Sequence, residues 1–141
     1  MVEDTHVQDV LELTQLKHRY CHAIDDGDYE TWVSLFADNG SFVRAGVDRY
    51  DGHDEIRTFA NDVFDAAFSY SAHIVTNPVV EVSNETATGR WYLFLPYLSS
   101  EGERGWKQGV YEDTFRREHD KWRFETVTIS MREDRTLGGT G

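Results

Sequence analysis

Cysteine is nearly missing from this chain. Cys21 stands alone, so no disulfide can close within it, which fits a reducing compartment. Proline occurs only twice, and no Ser/Gly-rich linker, internal repeat or low-complexity stretch divides the sequence. No apolar run approaches the roughly 20 residues that would cross a bilayer. The start, Met1-Val2-Glu3-Asp4, is acidic and has no apolar signal core, so a cytoplasmic protein is expected. Lysine is scarce too: Lys17, Lys107 and Lys121 are the whole supply. With 26 acidic against 14 basic residues the net charge is −12. A surface this acidic repels phosphate backbones and anionic lipid heads, so neither nucleic acid nor membrane is an expected partner.

What the chain does have is apolar and aromatic bulk. Its 141 residues suit one domain, and apolar residues at 39%, with aromatics at 13%, allow a sizeable core. Val7, Val10, Leu11, Leu13, Leu16, Tyr20 and Ile24 recur at helical spacing, predicting a long first helix that stops at Asp25-Asp26-Gly27. Asp28 reads as the N-cap of a short second helix that buries Trp32, Leu35 and Phe36. Asp38-Asn39-Gly40 reads as a turn, Ser41 to Arg44 as a strand, and Val47 to Tyr50 as its partner. Ile56, Phe59, Ala60, Val63, Phe64 and Ala67 mark one face of a third helix.

After Ser71 the period shortens to two. Ala72 to Val82, Thr86 to Leu98, Trp106 to Arg117 and Lys121 to Met131 read as four long strands joined by turns. Helices first and hairpins after imply an α+β domain over residues 1–135, with helices covering one face of a curved sheet; residues 136–141, rich in glycine, are expected to form a disordered tail. A strongly bent sheet closed by a long helix leaves a hollow cone, a natural small-molecule site.

Several residues in this frame carry chemistry. His73 opens the first long strand, sharing a face by alternation with Val75, Asn77 and Val79, and Asp25 ends the first helix. An imidazole held by a carboxylate is a good general base, because the carboxylate fixes the tautomer and stabilises the imidazolium. The plain alternative is a hydrogen-bonded strand histidine and an unrelated helix-end carboxylate. Tyr20 can donate to a substrate oxygen or simply pack. Five positions separate it from Asp25, about 140° around a straight helix. Arg132 is placed to hold a carboxylate or a polarised oxygen unless it is a solvated cation beside Glu133 and Asp134. Arg44 points into the cone or out to water. His18 and His22 have metal-compatible spacing, but no third ligand is evident and no metal is expected. Cys21 reads as packing, and the glycines at 102 and 105 match no phosphate-binding motif.

The stretch Leu16-Lys17-His18-Arg19-Tyr20-Cys21-His22-Ala23-Ile24-Asp25-Asp26-Gly27-Asp28 resembles the first helix of SnoaL-like proteins in the NTF2-like superfamily. His73, the run Thr86 to Leu93, Tyr111 to Phe115, and Lys121-Trp122-Arg123-Phe124 extend the resemblance over residues 5–133. Within the superfamily it is most similar to the branch of scytalone dehydratase, bile acid 7α-dehydratase and lindane dehydrochlorinase, cofactor-free lyases with an Asp-His dyad in the cone. The resemblance implies an NTF2-like cone of three N-terminal helices on a mainly antiparallel sheet. It implies catalytic roles for His73, Asp25 and Tyr20, and substrate contacts from Arg132.

Other positions depart from the branch. Arg44, with Tyr50 nearby, stands where a tyrosine is usual; Trp91 replaces a second histidine, and Tyr111 falls near a pocket asparagine. These three sites and Tyr50 are carried forward as substrate-binding candidates. The expected activity is a cofactor-independent, dehydratase-like elimination on a small hydrophobic cyclic substrate, in a homo-oligomer, trimer or dimer. Isomerisation or polyketide cyclisation by the same base remains open. So does a non-catalytic role, as a ligand-binding module or an accessory subunit like the dioxygenase β-subunit. Epoxide hydrolysis would need an Asp-Arg-Asp arrangement for which the chain has no motif.

Overall fold

In the computed structural model, which describes residues 4–137, the first helix α1 (Asp4–Asp25) buries a stripe of Leu13, Leu16, Tyr20 and Ile24. Its first turns do not share in this. Val7 and Leu11 are about 60% exposed, because the sheet begins to cover the helix only one turn later. Lys17 lies inside the stripe, fully buried. His18 and His22 face outward, and among the described residues no cluster of three ligand-type side chains forms. Gly27 ends the helix in the left-handed region, at φ 75°, where a Cβ would be strained.

Asp28 then caps α2 (Tyr29–Ser34), accepting from the Thr31 backbone amide at 3.4 Å. This helix buries Trp32; Leu35 follows it and Phe36 already opens the first strand. The turn expected at Asp38-Asn39-Gly40 is absent. Those residues belong to β1 (Phe36–Arg44), which carries an irregularity between Phe36 and Ser41. A bulge accommodates turn-forming residues inside a strand while keeping the neighbours paired.

β1 pairs antiparallel with β2 (Asp48–Asp51) and parallel with the last strand, β7 (Lys121–Thr136). The third helix is less regular than its spacing suggests. α3 (Gly52–Thr58) widens into a π-helical turn over Phe59–Phe64 and ends in α4 (Asp65–Ala67). In an α-helix Phe59 and Phe64 would point about 140° apart. The wider turn brings both rings to the interior, 6.4 Å apart, while Ala67 is left exposed.

The strand expected from Ala72 is two strands. β3 (Phe68–Ser71) and β4 (Ile74–Ser83) lie successively along β5 (Thr86–Ser99), and Ala72-His73 forms the break between them. A second irregularity, between Thr76 and Val79, holds Asn77 at φ 57° ahead of Pro78. This extra residue reverses the alternation, so Val79 faces solvent while Val80 and Val82 pack on the core. β6 (Arg104–Glu118) and β7 complete the sheet in the order β2-β1-β7-β6-β5-β3, with β4 also on β5. β7 runs past the expected domain limit: Thr136 pairs with Gly105, and the Leu137 amide donates to the Arg104 carbonyl at 2.7 Å. The remainder of the expected tail, 138–141, lies outside the described residues.

Bulges at Gln108/Gly109 and Thr114/Phe115 bend the two longest strands around α1. Gly109 is there of necessity. A Cβ on it would stand 2.5 Å from the Ser130 carbonyl oxygen, and backbone cannot yield as a flexible side chain would. Gly109→Ala should therefore destabilise the fold by about 1–3 kcal/mol, read as a lower urea midpoint with an unchanged m-value.

Candidate functional site

The break at Ala72-His73 creates the site. Ala72 still donates its amide to the Pro96 carbonyl on β5 at 3.1 Å, but the His73 amide turns away from the ladder. It donates to Asp25 Oδ2 at 2.7 Å. Asp25 Oδ1 accepts twice more, from the Ser71 hydroxyl at 2.8 Å and from His73 Nδ1 at 2.6 Å. A carboxylate so placed requires the proton on Nδ1, so that in the neutral imidazole the free lone pair belongs to Nε2. Nε2 has no hydrogen-bond partner among the described residues, and the ring lines an interior cavity. The His73 side chain is 7% exposed and that of Asp25 18%, so bulk water competes weakly for either.

The cavity offers about 70 Å³ of free space, small beside the few hundred Å³ typical of ligand sites, so a ring-sized ligand must also occupy its mouth. Phe42, Phe59, Phe64 and Phe68 form an aromatic wall, and Phe64 lies 5.9 Å from the His73 ring. Leu93, Leu95 and Ile129 supply the facing wall from the sheet. Tyr20 and Tyr111 close one side, the Tyr20 hydroxyl donating to that of Tyr111 at 3.4 Å. Burial holds both phenols well above their ordinary acidity range, so each keeps its proton and remains a donor. Tyr20 and Asp25 do not meet. α1 stays helical to its end, so Tyr20 faces the cavity and Asp25 reaches the rear of the His73 ring.

Beneath the two tyrosines lies an ion pair that the sequence reading does not anticipate. Lys17 Nζ sits 3.0 Å from Asp113 Oδ2, both side chains fully buried, in an ionic contact too oblique to count as a directed hydrogen bond. The ammonium also stands 3.4 Å from the centre of the Tyr111 ring and 4.1 Å from that of Tyr20. Desolvation pushes the Lys17 pKa down and the Asp113 pKa up, each towards its neutral form. Desolvation likewise pushes the Cys21 thiol up to about 12, which leaves it uncharged and inert as a nucleophile.

Of the other expected contacts, Arg44 lines the cavity with its Nε donating to Asp48 Oδ1 at 2.7 Å, and Tyr111 lines it as described. Three do not reach it. Arg132 is exposed on the outer face of the sheet, its guanidinium 5.4 Å from the Tyr92 ring. Alternation gives the cavity rim to its neighbour Met131 instead. Tyr50 packs behind the cavity against Phe59, 5.1 Å between centroids, with its hydroxyl on Asp48. Trp91 is 1% exposed within the core, one inward step along β5 from Leu93, and meets no cavity space. Lys107 and Met131, by contrast, join the cavity without having been singled out. Both follow plain alternation: Lys107 shares the inward face of β6 with Tyr111, and Met131 that of β7 with Ile129.

The Lys17–Asp113 pair yields a test. Lys17→Met alone leaves a buried carboxylate without its cation and should cost about 3–5 kcal/mol, whereas Lys17→Met with Asp113→Leu should recover most of that loss. Urea midpoints of the two single variants and the double variant measure it.

Comparison with known proteins adds the family. Residues 5–128 match the SnoaL-like domain. No curated protein sequence matches the chain. Among solved structures, a candidate aromatic ring hydroxylase from Novosphingobium aromaticivorans is similar at 26% identity and TM-score 0.86, covering 93% of this chain and 94% of its own. The hexachlorocyclohexane dehydrochlorinase LinA-type3 from Novosphingobium barchaimii is 18% identical with TM-score 0.88, covering 95% and 93%. A candidate scytalone dehydratase from N. aromaticivorans is 18% identical with TM-score 0.87, covering 96% and 91%. With the family match spanning most of its length and an α+β cone of this topology, the chain belongs to the SnoaL-like family on the NTF2-like fold.

Proposed function

We propose that this protein is a lyase that eliminates a proton and a neighbouring leaving group from a small, largely apolar cyclic substrate. The observation that carries the reading is the 2.6 Å contact of Asp25 with His73 Nδ1 at the wall of a largely aromatic and aliphatic cavity. His73 Nε2 takes a proton from the carbon next to an activating carbonyl. The electrons of that C–H bond become the new double bond as the C–O bond to the leaving hydroxyl breaks. The imidazolium, stabilised by Asp25, returns its proton to the departing hydroxide, so water leaves and the imidazole is regenerated. Tyr20 turns its single hydroxyl proton from Tyr111 to the oxygen on which charge develops, and accepts from the Tyr111 hydroxyl in exchange. Proton and electron pair are accounted for by substrate and imidazole, so the step as written draws on no cofactor. That dehydrochlorinases share this fold supports elimination as its chemistry.

A second reading, isomerisation, is favoured by the tyrosine pair, since two phenols suit an enolate and, among the described residues that line the cavity, no carboxylic acid stands ready for a leaving group. The products separate the two: loss of water marks the lyase, a shifted double bond at constant mass the isomerase.

On a panel of hydrophobic β-hydroxy ketones and cyclic enones, His73→Gln should abolish turnover with the melting temperature retained, because glutamine keeps size and hydrogen bonding but not basicity. Asp25→Asn should lower kcat by about 100-fold or more through loss of the tautomer and of imidazolium stabilisation. Tyr20→Phe should cost less, since it removes a donor and no proton acceptor. Near-normal turnover by His73→Gln would sink the dyad mechanism.

A further inference from the structure

The chain carries 26 carboxylates, yet no Asp or Glu is among the described residues that line the cavity. Its charged lining is Arg44 and Lys107. A net charge of −12 surrounding a cavity whose own ionic groups are all cationic is a local reversal of sign, and such a reversal selects for an anionic ligand.

The two cations are not equivalent. Asp48 occupies Arg44 through both Nε and Nη2, and Tyr50 fixes Asp48 in turn, so most of the Arg44 charge is already matched. Lys107 has no such partner. Its ammonium makes no hydrogen bond among the described residues. Its one ion-pair contact is with the half-exposed Asp134, whose Oδ2 is 3.7 Å away, beyond hydrogen-bond reach, while Oδ1 accepts from the Tyr97 hydroxyl at 3.2 Å. The Lys107 stem lies along aromatic faces, its Nζ 5.6 Å from the Phe68 ring centre and 5.9 Å from that of Tyr97. Its side chain is 26% exposed, which places it at the mouth. From there to the base the cavity wall consists of Phe68 and Phe64, their centroids 5.1 Å apart and their planes inclined by 51°, then His73. A ligand that reaches from the Lys107 ammonium to Nε2 therefore presents an anionic group, then a ring system lying along two phenylalanines, then the reacting carbon.

We propose that Lys107 is an anion-binding residue of the cavity and that the ligand is an aromatic or alicyclic carboxylate, its carboxylate on Lys107 at the mouth and its ring against Phe68 and Phe64. This deepens the lyase reading and rests on it only for the reaction; the binding itself stands without it. The carboxylate is an anchor remote from the scissile bond and takes no part in bond making, so the activating carbonyl is a separate group of the same molecule.

The probes are 2-naphthoate and its neutral counterpart 2-naphthylmethanol, titrated calorimetrically into the intact protein at low salt. The naphthoate should bind about tenfold tighter or better, the worth of one charge-assisted hydrogen bond, and the advantage should shrink as salt is added. Lys107→Gln should bring the two probes to parity, Lys107→Arg should restore the preference, and His73→Gln should leave it intact. Equal binding of both probes to the wild-type protein overturns the proposal. So does a preference that survives Lys107→Gln and vanishes in Arg44→Gln or His73→Gln, because the anion then sits elsewhere. Turnover of a substrate unaffected by His73→Gln, with the naphthoate preference still dependent on Lys107, would remove the lyase reading and leave the anion site standing.

Discussion

The three hydrogen bonds accepted by Asp25 hold this architecture in working order. A helix ends there, a strand is interrupted there, and one carboxylate serves both. The helix end supplies a carboxylate whose position is fixed by the left-handed turn at Gly27. The interruption supplies an amide that has left its ladder and an imidazole that needs an acceptor. Breaking a β-ladder normally forfeits a backbone hydrogen bond, and a buried amide left unpaired costs about 1–3 kcal/mol. Here the same group that orients the imidazole satisfies the amide. The strand break is stabilised by the feature it exists to position, so structure and site cannot be separated at this point.

A second polar arrangement lies behind the tyrosines and follows a different logic. Lys17 and Asp113 gain little net stability from being paired without water, since desolvation offsets most of their attraction. What they fix is place. The ammonium sits against the faces of Tyr20 and Tyr111, and the four side chains tie α1 to the middle of β6. An apolar core would allow α1 to slide or turn by small amounts. A buried charge that has one partner does not, and the two phenols that border the cavity inherit that rigidity.

Much of this was legible in the sequence, and the reasons are specific. Leu13, Leu16, Tyr20 and Ile24 keep helical spacing because one face of α1 is covered along most of its length, and the alternation in β5 is unbroken from Ala87 to Leu95. The order of helices before hairpins, the cap at Asp28 and the meeting of His73 with Asp25 all emerged from pattern or resemblance. The failures cluster at bulges. Gly40 and Asn77 stand within added stretches of β1 and β4, and Gly109 faces the residue added to β7, Arg132; an odd number of added residues exchanges the two faces of everything beyond it on that strand. Hence Val79, which shares a face with His73 by simple alternation, lies on the solvent side instead. The π-helical turn at Phe59–Phe64 leaves no signal in hydrophobic spacing that separates it from an α-helix. Lys17–Asp113 is invisible for another reason: a lysine at a helical core position reads as an error in the pattern unless its counter-charge, 96 residues away, is known to lie opposite.

The parallel pairing of β1 with β7 has a consequence for how the molecule comes into being. β7 is the last described strand, yet it occupies the interior of the sheet, between β1 and β6. On the ribosome, β1 and β2 emerge with one edge open and wait while about 80 further residues are made before that edge is closed. The sheet is therefore not built outward from a finished half. Its two parts are made separately and joined by β7, a high-contact-order closure in which the loop entropy must be overcome before the central pairing can repay it. Until then Phe36 and Phe42 on β1 lack their neighbours Phe124 and Val127, which makes the interval before β7 is made the time when this chain most depends on protection from association.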